Sequence, residues 1–317
     1  MYKTFYHLRL NPFEITPDPA FLFPTARHNE ALASLYYGVT ARKGFVVLSG
    51  EVGTGKTLML RSLLGLLQQR NVAFALVFNP TLSPLEFLRY IAGDFGIPSG
   101  GRAKDELLQA LNTFLLARHR QKLSTLLVVD EAHHLSRELL EEIRLLTNLE
   151  TAKEKLLQII LAGQPELDEK LDSFDLRQLK QRIALRCHLA ALSLEETRNY
   201  IQRRMEIAGK GPASADVFPG STMSAVFRHS RGIPRLINTI CENALIAGFA
   251  RRAEMISPET IDDVARDLRL GVVLATAPGN GNGPSEDELL SAMKTLFEIR
   301  NRFRKEEPKA ASSTRLA

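Results

Sequence analysis

Apolar residues gather along the first two thirds of the chain in short runs separated by longer amphipathic stretches. The runs at 44–49, 73–78, 125–129, 156–162 and 184–190 are rich in Val, Ile, Leu and Phe, which predicts strands buried on both faces. Helical spacing predicts helices near 56–69, 84–95, 104–120, 136–149 and 175–181. That β-α-β rhythm calls for an α/β core with a mostly parallel sheet covered on both faces. After Leu192 the strand signal stops. Ser193-Leu194-Glu195-Glu196 is a capping box that opens a helix to about Ala208, and further helices are expected at 221–230, 234–251 and 258–268. The expected organisation is therefore a core over 44–192 and an all-helical domain over 193–270.

The ends of the chain read differently. In 1–43, Asn11-Pro12-Phe13 and Pro17-Asp18-Pro19 favour an extended, wrapping segment before a helix from Arg27 to Arg42. Residues 271–285 contain Ala277-Pro278-Gly279-Asn280-Gly281-Asn282-Gly283-Pro284, a flexible linker by composition. A final helix over 286–304 is expected to carry Leu289, Met293, Leu296, Phe297 and Phe303 along one stripe, and 305–317 reads as a disordered tail.

Between the first strand and its helix lies Gly50-Glu51-Val52-Gly53-Thr54-Gly55-Lys56-Thr57, which fits G-x-x-x-x-G-K-[ST] in the strand–loop–helix setting that this pattern requires. Glycines let backbone N–H groups turn inward, and the helix N-terminus adds partial positive charge, so the loop predicts a phosphate cradle. Gly50, Glu51, Val52, Gly53, Thr54, Gly55, Lys56, Thr57 and Leu58 become the candidate nucleotide contacts. Lys56 is expected to reach the β- and γ-phosphates and Thr57 to ligate Mg²⁺. Strand 125–129 ends in Asp130-Glu131; a carboxylate at the end of an apolar strand is costly to bury unless it serves a cation. Asp130 is then the second Mg²⁺ group and Glu131 the residue that polarises the attacking water.

His133 and His134 follow at once and read as helix-entry residues without a metal-ligand constellation. Asn79, at the end of the second strand, is either a polar partner for Glu131 or simply a turn-former before Pro80. Gln164, after the fourth strand, is a candidate γ-phosphate sensor. Arg177, Arg182 and Arg186 cluster around the last strand, where each is either a charge-neutralising group for a neighbouring subunit's phosphate or an ordinary surface ion pair. Arg235 stands in the first turn of its helix, a position unfavourable to the helix dipole unless an anion is bound nearby.

Composition adds boundaries rather than chemistry. With 44% hydrophobic and 24% charged residues the chain falls in the ordinary globular class, and no apolar run approaches the ~18 residues that span a bilayer. Two cysteines, Cys187 and Cys241, make no framework, and with no signal peptide at Met1 a cytoplasmic location, or one peripheral to the inner membrane, is expected. The net charge of +5 permits contact with nucleic acid without requiring it.

Taken in order, the P-loop, Asp130-Glu131, Gly163-Gln164-Pro165-Glu166-Leu167, Leu179-Lys180-Gln181-Arg182-Ile183 and Gly232-Ile233-Pro234-Arg235 resemble the AAA+ ATPases. The opening segment Tyr2–Gly38, with Asn11-Pro12-Phe13 and Phe21-Leu22-Phe23, is similar within them to the ExeA (general secretion pathway protein A) family. The resemblance implies an Orc-like P-loop core with a C-terminal helical lid and a tail, dependence on ATP and Mg²⁺, and self-association into a ring or filament. It implies sensor roles for Gln164 and Arg235 and assigns the trans-acting finger to Arg182 ahead of Arg177. Phe13, Pro12 and Ile233 are implied as contacts around the adenine. ExeA-type proteins continue through a membrane span into a peptidoglycan-binding region, whereas this sequence stops at Ala317. The implied function is an ATPase that assembles or remodels an envelope secretion or polysaccharide-export system, with a protein partner docked on the 286–304 helix. The alternative is a regulator of transposition resembling TnsC and MuB, acting on duplex DNA.

Overall fold

The computed structural model describes residues 1–14, 21, 23–68, 70–78, 81–209 and 216–270. The expected linker, the 286–304 helix and the tail lie outside the described residues, as do Asn79, Pro80 and Pro17-Asp18-Pro19.

Five parallel strands form one sheet in the order β2-β3-β4-β1-β5: β1 (Phe45–Gly50), β2 (Ala73–Val77), β3 (Thr125–Val129), β4 (Gln158–Gly163) and β5 (Ile183–Leu189). The alternation of side chains along each strand feeds two separate cores. Phe45 and Val47 of β1, Leu127 and Val129 of β3, and Ile159 and Leu161 of β4 face one of them. Val46 and Leu48, Leu126 and Val128, and Ile160 and Ala162 face the other. Both faces are covered, which is why the central strands carry no polar side chain at mid-strand.

Helices α4 (Pro84–Asp94), α5 (Lys104–Arg120), α6 (Arg137–Leu146), α7 (Pro165–Asp172) and the short α8 (Arg177–Lys180) supply the first core. Helices α2 (Ala26–Thr40) and α3 (Lys56–Gln68) supply the second. The starts are fixed by side-chain caps: Thr25 on α2, Ser136 on α6, and a reciprocal Ser83–Glu86 box on α4.

A third core lies within α9 (Leu194–Ala208), α10 (Gly220–Ser230), α11 (Pro234–Ala250) and α12 (Pro258–Asp267). The expected Ser193–Glu196 box opens α9, with Ser193 N–H donating to Glu196 at 2.8 Å and Glu196 N–H to Ser193 Oγ at 3.1 Å. The chain's first residues join this core. A four-residue helix, α1 (Tyr2–Phe5), precedes a bridge between Leu8 and Gly209, and Tyr6, Leu8 and Phe13 are buried among the four helices.

Two departures from the sequence-based expectation matter for the site. Residues 165–172 form α7, which begins with Pro165 at its first position and buries Leu167 and Leu171. β4 begins at Gln158, because Leu156 N–H is turned to Leu149 C=O (3.0 Å) and Leu156 and Leu157 enter the core from the preceding turn.

Candidate functional site

The carboxyl ends of parallel strands are where an α/β sheet leaves a crevice, and β1, β3 and β4 all deliver chemistry there. At the end of β1 the P-loop folds back on itself. Lys56 is buried, and its ammonium donates to Gly50 C=O at 2.7 Å and Glu51 C=O at 3.0 Å. Burial pushes its pKa down, while the carboxylates of Glu131, Asp130, Glu51 and Glu166 pull the other way. Thr54 Oγ1 donates to Glu51 C=O at 2.8 Å and holds the turn closed.

At the end of β3, Asp130 is 4% exposed. Its two oxygens are both used, one accepting from Thr57 Oγ1 at 2.8 Å and the other from Glu131 N–H at 2.9 Å. Thr57 and Asp130 therefore meet as the sequence predicts, and their oxygens are the hard donors that suit Mg²⁺. Glu131 adopts a left-handed backbone (φ 51°) and leaves its carboxylate open to the cleft, 46% exposed. At the end of β4, Gln164 turns its side chain toward the same cleft.

The helical bundle closes the fourth side. Arg235 N–H donates to Gly53 C=O at 3.2 Å. Gly53 has φ +82°, and a Cβ there would stand 2.6 Å from Arg235 Cβ and 3.2 Å from Ile233 Cγ2. Only glycine permits this approach of α11 to the loop. Glu51 and Val52 are exposed, while Leu58 is half-buried beside the loop. The resulting cleft of about 440 Å³ is lined by Lys56, Thr57, Glu131, Gln164, Arg204 and Arg235, among others.

Beside it lies a narrow recess of about 40 Å³ that the sequence did not disclose. Arg204, from α9, lies over the rings of Phe21 and Tyr200, each centroid 4.9 Å away, and donates to Pro12 C=O at 2.8 Å. His28, buried and held by Thr25 at 2.7 Å, completes the wall; burial lowers its pKa. Tyr200 and Arg204 are one turn apart on α9, the only local signal that they act together.

Phe13 is a correction. It is fully buried and packs edge-on against Phe218 at 5.7 Å, so it is a core residue and not an adenine contact. Pro12 is likewise buried and meets the recess only through the carbonyl that holds Arg204, whereas Ile233 does lie beside the P-loop.

None of the three arginines reaches this chain's own cleft. Arg182 immediately precedes β5, at the amino end of the sheet, and donates to Thr147 Oγ1 at 2.7 Å. Arg186 is held by Asp168 at 3.0 Å and Asp172 at 2.9 Å. Arg177 stacks on exposed Phe174 at 4.5 Å. Asn79 lies outside the described residues.

His133 and His134 also depart from expectation. With Glu131 they bring three potential ligand atoms within 4.8 Å of one another. The ring of His133 is nonetheless engaged at both nitrogens, Nδ1 accepting from the Gln164 backbone N–H at 3.5 Å and Nε2 facing the Gln164 side-chain amide at 2.9 Å.

Comparison with known proteins gives concordant results. A family model for the AAA domain matches residues 39–171. General secretion pathway protein A of Aeromonas hydrophila is 44% identical over 257 residues, covering 81% of this chain and 46% of that protein. The chain thus spans about half the length of the curated relative it matches. Among solved structures, the Aeropyrum pernix ORC2 protein in ADPNP–ADP complexes superposes with a TM-score of 0.59 at 16% identity, covering 81% of this chain and 71% of that one. Cdc6p from Pyrobaculum aerophilum gives 0.58 at 17% identity, with 87% and 72% covered. The Thermotoga maritima RuvB branch-migration motor gives 0.52 at 16%, with 88% and 77% covered. At these identities the structural likeness speaks to the fold alone. No helix among the described residues is long and apolar enough to cross a membrane.

Proposed function

We propose that this chain, which belongs to the AAA+ ATPases of the general secretion pathway protein A family, hydrolyses ATP in the P-loop cleft and uses the nucleotide state to assemble or remodel an envelope secretion system. One observation carries the reading: Lys56, the Thr57–Asp130 pair, Glu131, Gln164 and Arg235 arrive from four separate elements on a single cleft.

The chemistry follows from how each group is held. The buried ammonium of Lys56 uses two of its three donors on carbonyls, and a polyphosphate would accept from the third and offset the burial that lowers its pKa. Thr57 Oγ1 and the Asp130 carboxylate would hold Mg²⁺, which when bound neutralises charge on the β- and γ-phosphates. Glu131, with its backbone fixed and its carboxylate open to the cleft, orients the attacking water and accepts its proton. Gln164 and Arg235 bond the γ-phosphate from opposite sides.

Because Arg235 is tied through its backbone to Gly53, loss of that phosphate shifts α11 and the bundle with it. Arg182, which stands at the far end of the sheet from its own P-loop, serves only a neighbouring copy, so turnover requires self-association. The protein works on the cytoplasmic side of the envelope, with a protein partner in the secretion system.

The test is ATP turnover by the full chain and by Glu131→Gln, with and without duplex DNA at low and moderate salt. Turnover that Glu131→Gln removes and that ignores DNA supports the reading. Turnover insensitive to Glu131→Gln refutes the site, and strong, salt-sensitive stimulation by DNA refutes the envelope assignment.

A further inference from the structure

We propose that His133 is a positioning residue that locks Gln164 and Glu131 into one unit, so that the phosphate-sensing amide and the water-orienting carboxylate move together. The inference rests on the ATPase reading above. Gln164 N–H donates to His133 Nδ1 at 3.5 Å and the Gln164 side-chain amide lies 2.9 Å from His133 Nε2, while Glu131 is tied to the same turn by His134 N–H, which donates to Glu131 C=O at 3.0 Å. Nδ1 therefore accepts from the Gln164 backbone, which leaves the ring proton on Nε2 to face the oxygen of the Gln164 side-chain amide. Both ring nitrogens are then engaged by Gln164, which sets aside the metal-like grouping with His134. The amide N–H groups of Gln164 are left for the nucleotide.

The ring is in no position to drift. Its side chain is 9% exposed, and burial, followed by the neighbouring His134, lowers its pKa. Lys170 of α7 donates to His133 C=O at 2.6 Å and to Leu135 C=O at 3.0 Å, pinning the turn from the other side. The turn also packs directly on the end of β4, where a Cβ added to Gly163 would sit 3.1 Å from His133 N. Glu131, a non-glycine residue in left-handed conformation, is the kind of strained position that persists where surrounding contacts over-determine it. The imidazole is thus a rigid spacer between the ends of two adjacent strands, and reacting groups displaced by about 1 Å lose on the order of 100-fold in rate.

The experiment compares full-length wild type, His133→Ala, His133→Gln and Glu131→Gln in steady-state ATP turnover and in binding of a fluorescent ATP analogue. Gln supplies one acceptor and one donor and so replaces both bonds. We expect His133→Ala to lose about 10-fold or more in kcat with analogue affinity within about twofold, and His133→Gln to recover turnover to within about threefold. The proposal is overturned if His133→Ala turns over like wild type, if its affinity falls by the same factor as kcat, or if His133→Gln is as impaired as His133→Ala. Wild-type turnover that Glu131→Gln abolishes separates those outcomes from failure of the ATPase reading; without it, both fall.

Discussion

Gly232→Ala is the substitution that most directly tests how the helical bundle is fastened to the nucleotide cleft. Gly232 has φ +75°, and an added Cβ would stand 1.9 Å from the carbonyl oxygen of Leu192 and 2.8 Å from its carbonyl carbon. Those are backbone atoms of the segment leaving β5, so no rotamer change relieves the contact. The turn must move, and with it goes the bond from Leu192 N–H to Gly232 C=O (2.8 Å), both of whose ends are buried. A left-handed non-glycine residue costs about 1–2 kcal/mol, and a buried bond left unmade costs about 1–3 kcal/mol. The expected loss is about 3 kcal/mol, or about 4–6 °C in Tm for a chain of this size. Because Arg235 follows in the next turn and bonds Gly53, turnover should fall as well, by a larger factor than ATP-analogue affinity. Gly65→Ala is the control: it lies in α3 with open space where a Cβ would go, and should gain about 0.5–1 kcal/mol. Thermal melts of the three proteins, with and without analogue, decide the matter. If Gly232→Ala melts within about 2 °C of wild type, the close approach of Gly232 to Leu192 is not what holds the bundle in place.

The remaining expectations are briefer. ATP at about 100 times its Kd should stabilise the wild type by about 2.7 kcal/mol, and Lys56→Ala should remove that increment, read as a nucleotide-dependent Tm shift that vanishes. Arg182→Ala should bind analogue normally yet not turn over. Mixed with Lys56→Ala it should regain activity, because the finger and the P-loop then come from different copies; no recovery would argue against Arg182 acting in trans. Phe13→Ala should cost about 3–5 kcal/mol as a core truncation, seen in chemical denaturation, while the folded fraction keeps its nucleotide affinity.

What could be seen in the sequence divides along a physical line. The P-loop and Asp130-Glu131 were legible because each is a short segment whose meaning is set by the strand just before it. The strands were legible because a parallel sheet buried on both faces demands uninterrupted apolar runs; their boundaries differ by one residue at β1, β2 and β5 and by two at the start of β4, where Leu156 and Leu157 serve the core from a turn. α7 was missed although Pro165 and the acids behind it mark a helix start, since eight residues show too little periodicity after a strand. Phe13 was misplaced for a different reason: an extended segment carries no code for its destination, and the helical core claimed the ring. The recess around Arg204 was invisible because Phe21, His28 and Tyr200 come from distant segments.

The same division bears on mechanism. The groups proposed to hold phosphate and metal lie within one strand–turn–helix and at the end of β3, which β4 separates from β1, so they are built as soon as the sheet is. The groups proposed to report on the phosphate are assembled: Gln164 through His133 and α7, Arg235 through the docking of α11 on Gly53. Binding therefore rests chiefly on the sheet, whereas coupling needs the bundle seated on the loop. Substitutions at the bundle's fastening points should accordingly damage turnover and nucleotide-dependent motion before they abolish phosphate binding, which is the order of loss expected of a device whose output is the position of the bundle.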